Sequence, residues 1–139
     1  MARKPKVIVL DSWAVIAFLE DESAGAKVAD IIANAQEQGI KLLMSVVNAG
    51  EVWYIVAREA SVGNADASLK QIRDLGVEFV EVDWELAKVA GYFKSRNKMS
   101  FADCFAAALS RKVNAHLVTG DREFKQVEKE VTIIWLNNN

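Results

Sequence analysis

Apolar residues first gather at Val7-Ile8-Val9-Leu10, a run too short for a buried helix and rich in β-branched side chains. That pattern predicts a strand covered on both faces, as in the middle of a parallel sheet. An acid, Asp11, ends the run, and Trp13, Ile16, Ala17 and Leu19 then recur at helical spacing, so a helix is predicted over 12–19. Asp21-Glu22-Ser23 reads as a polar turn. A second helix is predicted from Ala24 to Gln38, with Val28, Ile31, Ile32 and Ala35 on one face and Gly39 as its stop. Ile40–Met44 reads as a short strand, and Ser45 as the N-cap of a helix through Ala60. Gly63-Asn64 is expected to break that helix, which resumes over Ala65–Leu75 and stops at Gly76. Val77–Val82 reads as a strand. Asp83 caps a helix to about Asn97, and Ser100 caps another over Phe101–Lys112. Ala115–Val118 is a strand, Asp121–Lys125 a helical turn and Val131–Trp135 a last strand. Strands alternating with helices predict a parallel, helix-covered α/β sheet with right-handed crossovers. No repeat, low-complexity stretch or linker interrupts the pattern. One domain over residues 1–139 is expected, frayed at 1–5 and 137–139.

Composition narrows this only in places. The chain is 52% apolar and 26% charged, as in an ordinary globular protein. Its net charge of −2 does not exclude nucleic acid, because acids gathered in a metal site can mask a basic rim. Cys104 is the single cysteine, which excludes an intramolecular disulfide, and its apolar neighbours Phe105 to Leu109 suit a buried thiol better than a nucleophile. The basic stretch Met1–Lys6 lacks the apolar segment of a signal peptide. No run approaches the roughly 18 apolar residues of a membrane span. A cytoplasmic protein with no membrane partner is expected.

The chemistry rests on four acids. Asp11 follows a central strand, where open α/β sheets place their ligands, but it also suits the N-cap of the next helix. Glu51 is the one charged residue within Met44–Ala57, and its neighbours one turn away are Val47 and Ile55. An ionised carboxylate is rarely buried there without a partner, although pairing with Arg58 would make it ordinary surface. Asp103 stands three residues after Ser100, as in a capping box with Asp in place of Glu. Asp121 follows His116–Val118 through Thr119-Gly120, repeating the placement of Asp11, and it too fits an N-cap. Carboxylates held together repel unless a cation neutralises them, and oxygen ligands with no second histidine point to Mg²⁺ or Mn²⁺ rather than zinc. His116, the single histidine, reads as structural. A Ser-His-Asp triad would depend on it alone, and neither a GxSxG nor a phosphate-binding glycine loop occurs. Metal-assisted chemistry remains.

The series Val7-Ile8-Val9-Leu10-Asp11-Ser12, Met44-Ser45-Val46-Val47-Asn48-Ala49-Gly50-Glu51-Val52, Lys98-Met99-Ser100-Phe101-Ala102-Asp103 and Leu117-Val118-Thr119-Gly120-Asp121-Arg122-Glu123-Phe124 resembles the PIN-domain nucleases. Within them it is most similar to the VapC toxins of toxin–antitoxin pairs. The resemblance spans Val7 to Trp135, with Gly50 where many relatives carry alanine. It implies a three-layer PIN-like fold with a parallel sheet of four or five strands in the order 3-2-1-4-5. Asp11, Glu51, Asp103 and Asp121 match the family's acidic metal-binding and catalytic positions, and Ser12, Asn48 and Thr119 its supporting polar positions. The implied activity is a metal-dependent endoribonuclease in which Mg²⁺ or Mn²⁺ activates a water for in-line attack, leaving 5′-phosphate and 3′-hydroxyl ends. A homodimer and a cognate antitoxin are implied as well. Trp13, Phe18, Trp53 and Tyr54 are candidates for those surfaces, with core burial the simpler account of Trp53.

Lys94, Arg96 and Lys98 fall within five residues free of acids, and Arg122 and Lys125 lie beside Asp121. Such groups suit RNA phosphates, though a solvated basic loop fits them equally. Single-stranded or loop RNA is the expected substrate, because its bases and backbone are accessible. Two rivals remain. One is a PIN-like RNA-binding module with little or no activity. The other is a phosphotransfer domain with Asp11 as nucleophile, which Trp13 disfavours because that chemistry wants a second acid at its position.

Overall fold

The computed structural model describes residues 4–20 and 23–137. The acids of the expected turn at Asp21-Glu22, and the outermost residues of the two expected frayed ends, lie outside the described residues. The first strand, β1 (Val7–Leu10), leads through Asp11 into α1 (Ser12–Leu19). Then follow α2 (Ser23–Gln38), β2 (Lys41–Ser45), α3 (Val46–Glu59), α4 (Val62–Asp74) and β3 (Val77–Val80). The chain continues through α5 (Trp84–Arg96), α6 (Phe101–Lys112), β4 (His116–Thr119), a 3₁₀ segment (Arg122–Val127) and β5 (Thr132–Trp135). The helix starts fall where capping side chains stand. Asp11, Ser45, Asp83, Ser100 and Asp121 each accept a backbone N–H from the first turn they precede.

One expected break moves. The interruption falls at Ala60-Ser61 rather than Gly63-Asn64, which lie inside the first turn of α4. Ser61 accepts the Asn64 N–H at 3.0 Å, and a capping hydroxyl decides a helix start more strongly than a nearby glycine. The third strand is also shorter than expected. It ends at Val80, while Val82 leaves the sheet and packs on the core. Gly39 and Gly76 take positive φ, +70° and +99°, ending α2 and α4.

All strand pairs are parallel, in the order β3-β2-β1-β4-β5. The central β1 pairs with β2 (Ile8 beside Leu42) and with β4 (Ile8 beside His116). Side chains alternate across the sheet. Val9, Leu43 and Leu117 join Phe93, Phe105 and Leu109 of α5 and α6 in one core. Ile8, Leu10, Met44 and Val118 join Val15, Val28, Val52 and Ile72 of α1 to α4 in the other. Helix α6 is buried from Asp103 to Ser110, and its small residues Ala106, Ala107 and Ala108 let it lie close to the sheet. The order reverses between β1 and β4, so their carboxyl ends, with Asp11 and Thr119, open the crevice where such sheets bind ligands.

Candidate metal centre

Asp11 is fully buried at the end of β1. One carboxylate oxygen accepts the Ala14 N–H at 2.8 Å, and the other accepts the Thr119 hydroxyl at 2.5 Å. The Thr119 oxygen accepts the Asp121 N–H at 3.0 Å, and the Asp121 carboxylate accepts the Glu123 N–H at 2.9 Å. A hydrogen-bonded chain thus runs from β1 across β4 to the 3₁₀ segment and fixes where Asp121 and Glu123 stand. Asp103 enters from α6, its N–H held by the Ser100 hydroxyl at 3.1 Å.

Ser12, Asn48 and Ser45 form a second network. The Asn48 side-chain amide donates to Ser12 Oγ (3.3 Å) and to the Ala102 carbonyl (3.0 Å), while the Ser45 hydroxyl donates to Asn48 Oδ1 (2.7 Å). Ser12 in turn donates to the Asn48 carbonyl at 3.2 Å. Asn48 therefore joins the starts of α1, α3 and α6, the three helices that carry or border the acids. Among the described residues no buried side-chain nitrogen or oxygen lacks a partner.

These elements enclose a cleft of about 450 Å³. Trp13, Ile16 and Ile55 form an apolar wall, and Glu51, Asp103, Asp121 and Glu123 present carboxylates. The Trp13 ring lies against Gly120, where any Cβ would overlap it. Glu51 faces this cleft from α3, and among the described residues it makes no ion pair. Arg58, its candidate partner, instead places its guanidinium 5.0 Å from the Tyr54 ring centre.

The tightest convergence is Asp103, Asp121 and Glu123, each able to place one carboxylate oxygen within 4.8 Å of the others. Of the four acids read from the sequence, two belong to this group. Asp11 lies behind it and Glu51 across the cleft, both close enough to raise the proton affinity of Asp103. Glu123 escaped the sequence reading. Its only signal is that it stands two residues after Asp121, and a lone acid after a cap reads as solvated surface.

The electrostatics are those of crowded carboxylates. Burial pushes Asp11 from 3.8 up to about 7 despite the bonds from Thr119 and Ala14, with Asp121 and Glu51 adding to the rise. Burial, then the charge of Asp121, then that of Asp11 carry Asp103 to about 8. A cation fits this donor set. Magnesium and manganese take oxygen ligands, and three carboxylate oxygens within 4.8 Å of one another are near enough to share one such cation. With one histidine in the chain and Cys104 buried in the core, oxygen is the donor available.

The basic residues are placed less uniformly. Lys94 donates to the Met99 carbonyl at 2.6 Å, which tethers the loop before α6. The Arg96 guanidinium lies 4.9 Å from the Tyr92 ring centre. Lys98 is exposed, its backbone clamped by the Gln126 amide on both sides (2.9 and 3.1 Å). Arg122 is exposed beside Asp121. Of the surface aromatics, Tyr54 is exposed, Trp13 and Phe18 are half-buried, and half-buried Trp53 donates to Asp66 at 2.9 Å.

A parallel sheet in this order, with acids converging at its switch point, defines a class, and comparison with known proteins agrees. The PIN domain model matches residues 8–130, and the chain belongs to the PIN domain family. No curated protein is similar enough in sequence to count as a relative. Among solved structures the fold is similar to VapBC2 from Rickettsia felis bound to a promoter DNA fragment (TM-score 0.73, 14% identity, 92% of this chain and 97% of that chain). It is similar also to VapC20 of Mycobacterium tuberculosis, described as a sarcin-ricin loop cleaving toxin (TM-score 0.70, 20% identity, 86% and 94%). A third is VapBC-1 from nontypeable Haemophilus influenzae (TM-score 0.71, 15% identity, 94% and 98%). Among the described residues no helix is long and apolar enough to cross a membrane.

Proposed function

We propose that this chain is a divalent-metal-dependent endoribonuclease and the toxin of a VapBC-type pair. The observation that carries the reading is the convergence of Asp103, Asp121 and Glu123 beside buried Asp11. Without a cation this arrangement works against itself, since burial and the neighbouring carboxylates raise the proton affinities of Asp11 and Asp103 to about 7 and about 8. The similarity to VapBC assemblies and to a sarcin-ricin loop cleaving toxin supports the toxin assignment and a nucleic-acid loop as the kind of substrate.

Asp103, Asp121 and Glu123 would hold Mg²⁺ or Mn²⁺. A bound cation supplies acidity to a water and counter-charge to the leaving oxygen. Glu51, across the cleft, orients that water for in-line attack on the phosphodiester. Asp11 sets the position of Asp121 through Thr119 and adds its charge to the site. The 2′-hydroxyl takes no part, so the products carry 5′-phosphate and 3′-hydroxyl ends. The apolar wall of Trp13, Ile16 and Ile55 is the surface offered to an antitoxin segment, and the active form is a homodimer.

The test is cleavage of end-labelled single-stranded RNA with Mg²⁺, with Mn²⁺ and with chelator, beside Asp11→Asn. Metal-dependent cleavage absent from the variant is expected. Absence of cleavage with tight RNA binding would favour the second reading, an RNA-binding module.

A further inference from the structure

A second polar surface begins at the loop before α6 and runs along α5. Trp84, Lys88, Tyr92 and Arg96 stand four residues apart, so they form one stripe along the helix, and all are exposed, Trp84 to 70%. The stripe covers about 18 Å of helix at 1.5 Å per residue. Arg111 and Lys112, at the end of α6, flank it and close a groove of about 650 Å³ with Lys88 and Tyr92. Two guanidinium groups approach the Tyr92 ring, that of Arg96 at 4.9 Å and that of Arg111 at 5.7 Å from its centre. The countercharges are weakly held. Arg111 meets Glu130 at 2.7 Å and Lys112 meets Asp83 at 3.8 Å, both pairs in contact with solvent and easily exchanged. Glu85 is the one acid lining the groove. Lys88, Arg96, Arg111 and Lys112 thus lie together along one surface, and Lys98 stands two residues before Ser100 at the edge of the acidic cleft.

The geometry points to α5 as a platform for single-stranded RNA. Trp84 offers a face on which a base stacks, Lys88, Lys112 and the two guanidinium groups held over the Tyr92 ring meet phosphates, and the strand passes Lys98 into the cleft. This rests on the nuclease reading and extends it to how substrate is held away from the scissile bond. An exposed aromatic ring followed by a row of cations suits a strand that presents both bases and phosphates. A second copy fits poorly, because a two-fold interface would bring this cationic stripe against itself.

The probe is a fluorescently labelled single-stranded RNA of roughly 12 nucleotides, within the span that such surfaces cover. Its affinity for the full chain is read by anisotropy across a salt series, in Asp11→Asn with Mg²⁺ and in wild type with chelator. Trp84→Ala is expected to weaken binding roughly 5- to 100-fold. Lys88→Gln is expected to lower the slope of log affinity against log salt by about 0.7. Unchanged affinity and slope in both variants, with cleavage intact in wild type, would overturn the platform and leave the nuclease standing. An unchanged affinity with a shift from dimer to monomer in sedimentation would assign the stripe to a second copy and overturn it too. If the parent neither binds nor cleaves RNA, the nuclease reading falls and the platform falls with it.

Discussion

Asp11 and Asp103 are acids whose neighbours make them reluctant to ionise, and this gives the stability of the metal-free chain a definite sign. Their proton affinities rise on folding, from 3.8 to about 7 and about 8. Their contribution is therefore complete below pH 3.8 and is lost as pH rises through 7 to 8. Thermal melting in chelator is expected to fall across that window, and saturating Mg²⁺ to flatten the fall. A melting temperature that rises over the same range would refute the assignment. Asp83, held below its usual range chiefly by the Leu86 N–H, acts in the opposite sense at more acid pH and does not disturb the test. Thr119 gives a second prediction. Thr119→Val keeps the shape but leaves a buried Asp11 oxygen and the Asp121 N–H without their partner, so a loss of about 1–3 kcal/mol is expected in urea unfolding. Thr119→Ser should recover most of it. At this scale the sequence singled out Asp11, Asp103 and Asp121, each next to a predicted element end, while capping alone accounted for each of them equally well. It was nearly silent on Glu123, whose place in the cluster depends on the turn that Asp121 caps.

Among the elements, capping chemistry made most boundaries readable. Asp11, Ser45, Asp83, Ser100 and Asp121 announce five starts, and each side chain is found on the N–H groups that a helix leaves unpaired. The α3–α4 junction shows the limit of that reading, because Gly63 drew attention away from Ser61. The correction can be tested. Gly63 has an ordinary φ, and a Cβ there would meet only the Ser61 hydroxyl at 3.9 Å, an ordinary contact, so Gly63→Ala is expected to stabilise by about 0.4–1 kcal/mol, measured by thermal or urea unfolding. A residue that truly broke the helix would show a loss instead. Ser61→Ala should cost about 1 kcal/mol while leaving RNA cleavage unchanged. The third strand was over-extended because Val82 continues the apolar pattern, yet its side chain serves the core from outside the sheet.

For the whole molecule, alternation of strands and helices indicated the layers, whereas strand order came from resemblance to a family. Periodicity cannot tell which strands are neighbours. It follows that no local pattern announces the meeting of Asp11 with Thr119, or of Asp103 with Glu123. What that assembly does as a unit is measurable. Cation binding to the folded state alone should stabilise the chain by about 2.7 kcal/mol at a hundred times its dissociation constant. Differential scanning calorimetry with and without Mg²⁺ or Mn²⁺ checks this, and no shift at millimolar cation would count against a preformed centre.

The hydrogen bond between Thr119 and Asp11 joins residues 108 positions apart. A ribosome adding about 5–20 residues per second carries Asp11 for roughly 5–20 s before Thr119 is made. The strand that completes the crevice, β4, and the turn bearing Asp121 and Glu123 follow β1 to β3 and all six α-helices of the described residues. Every shorter nascent chain lacks half of its acidic centre. Translation itself thus acts as a safety catch: on the nuclease reading, the cell that makes this protein is not exposed to its chemistry until the segment from Thr119 to Glu123 has been made.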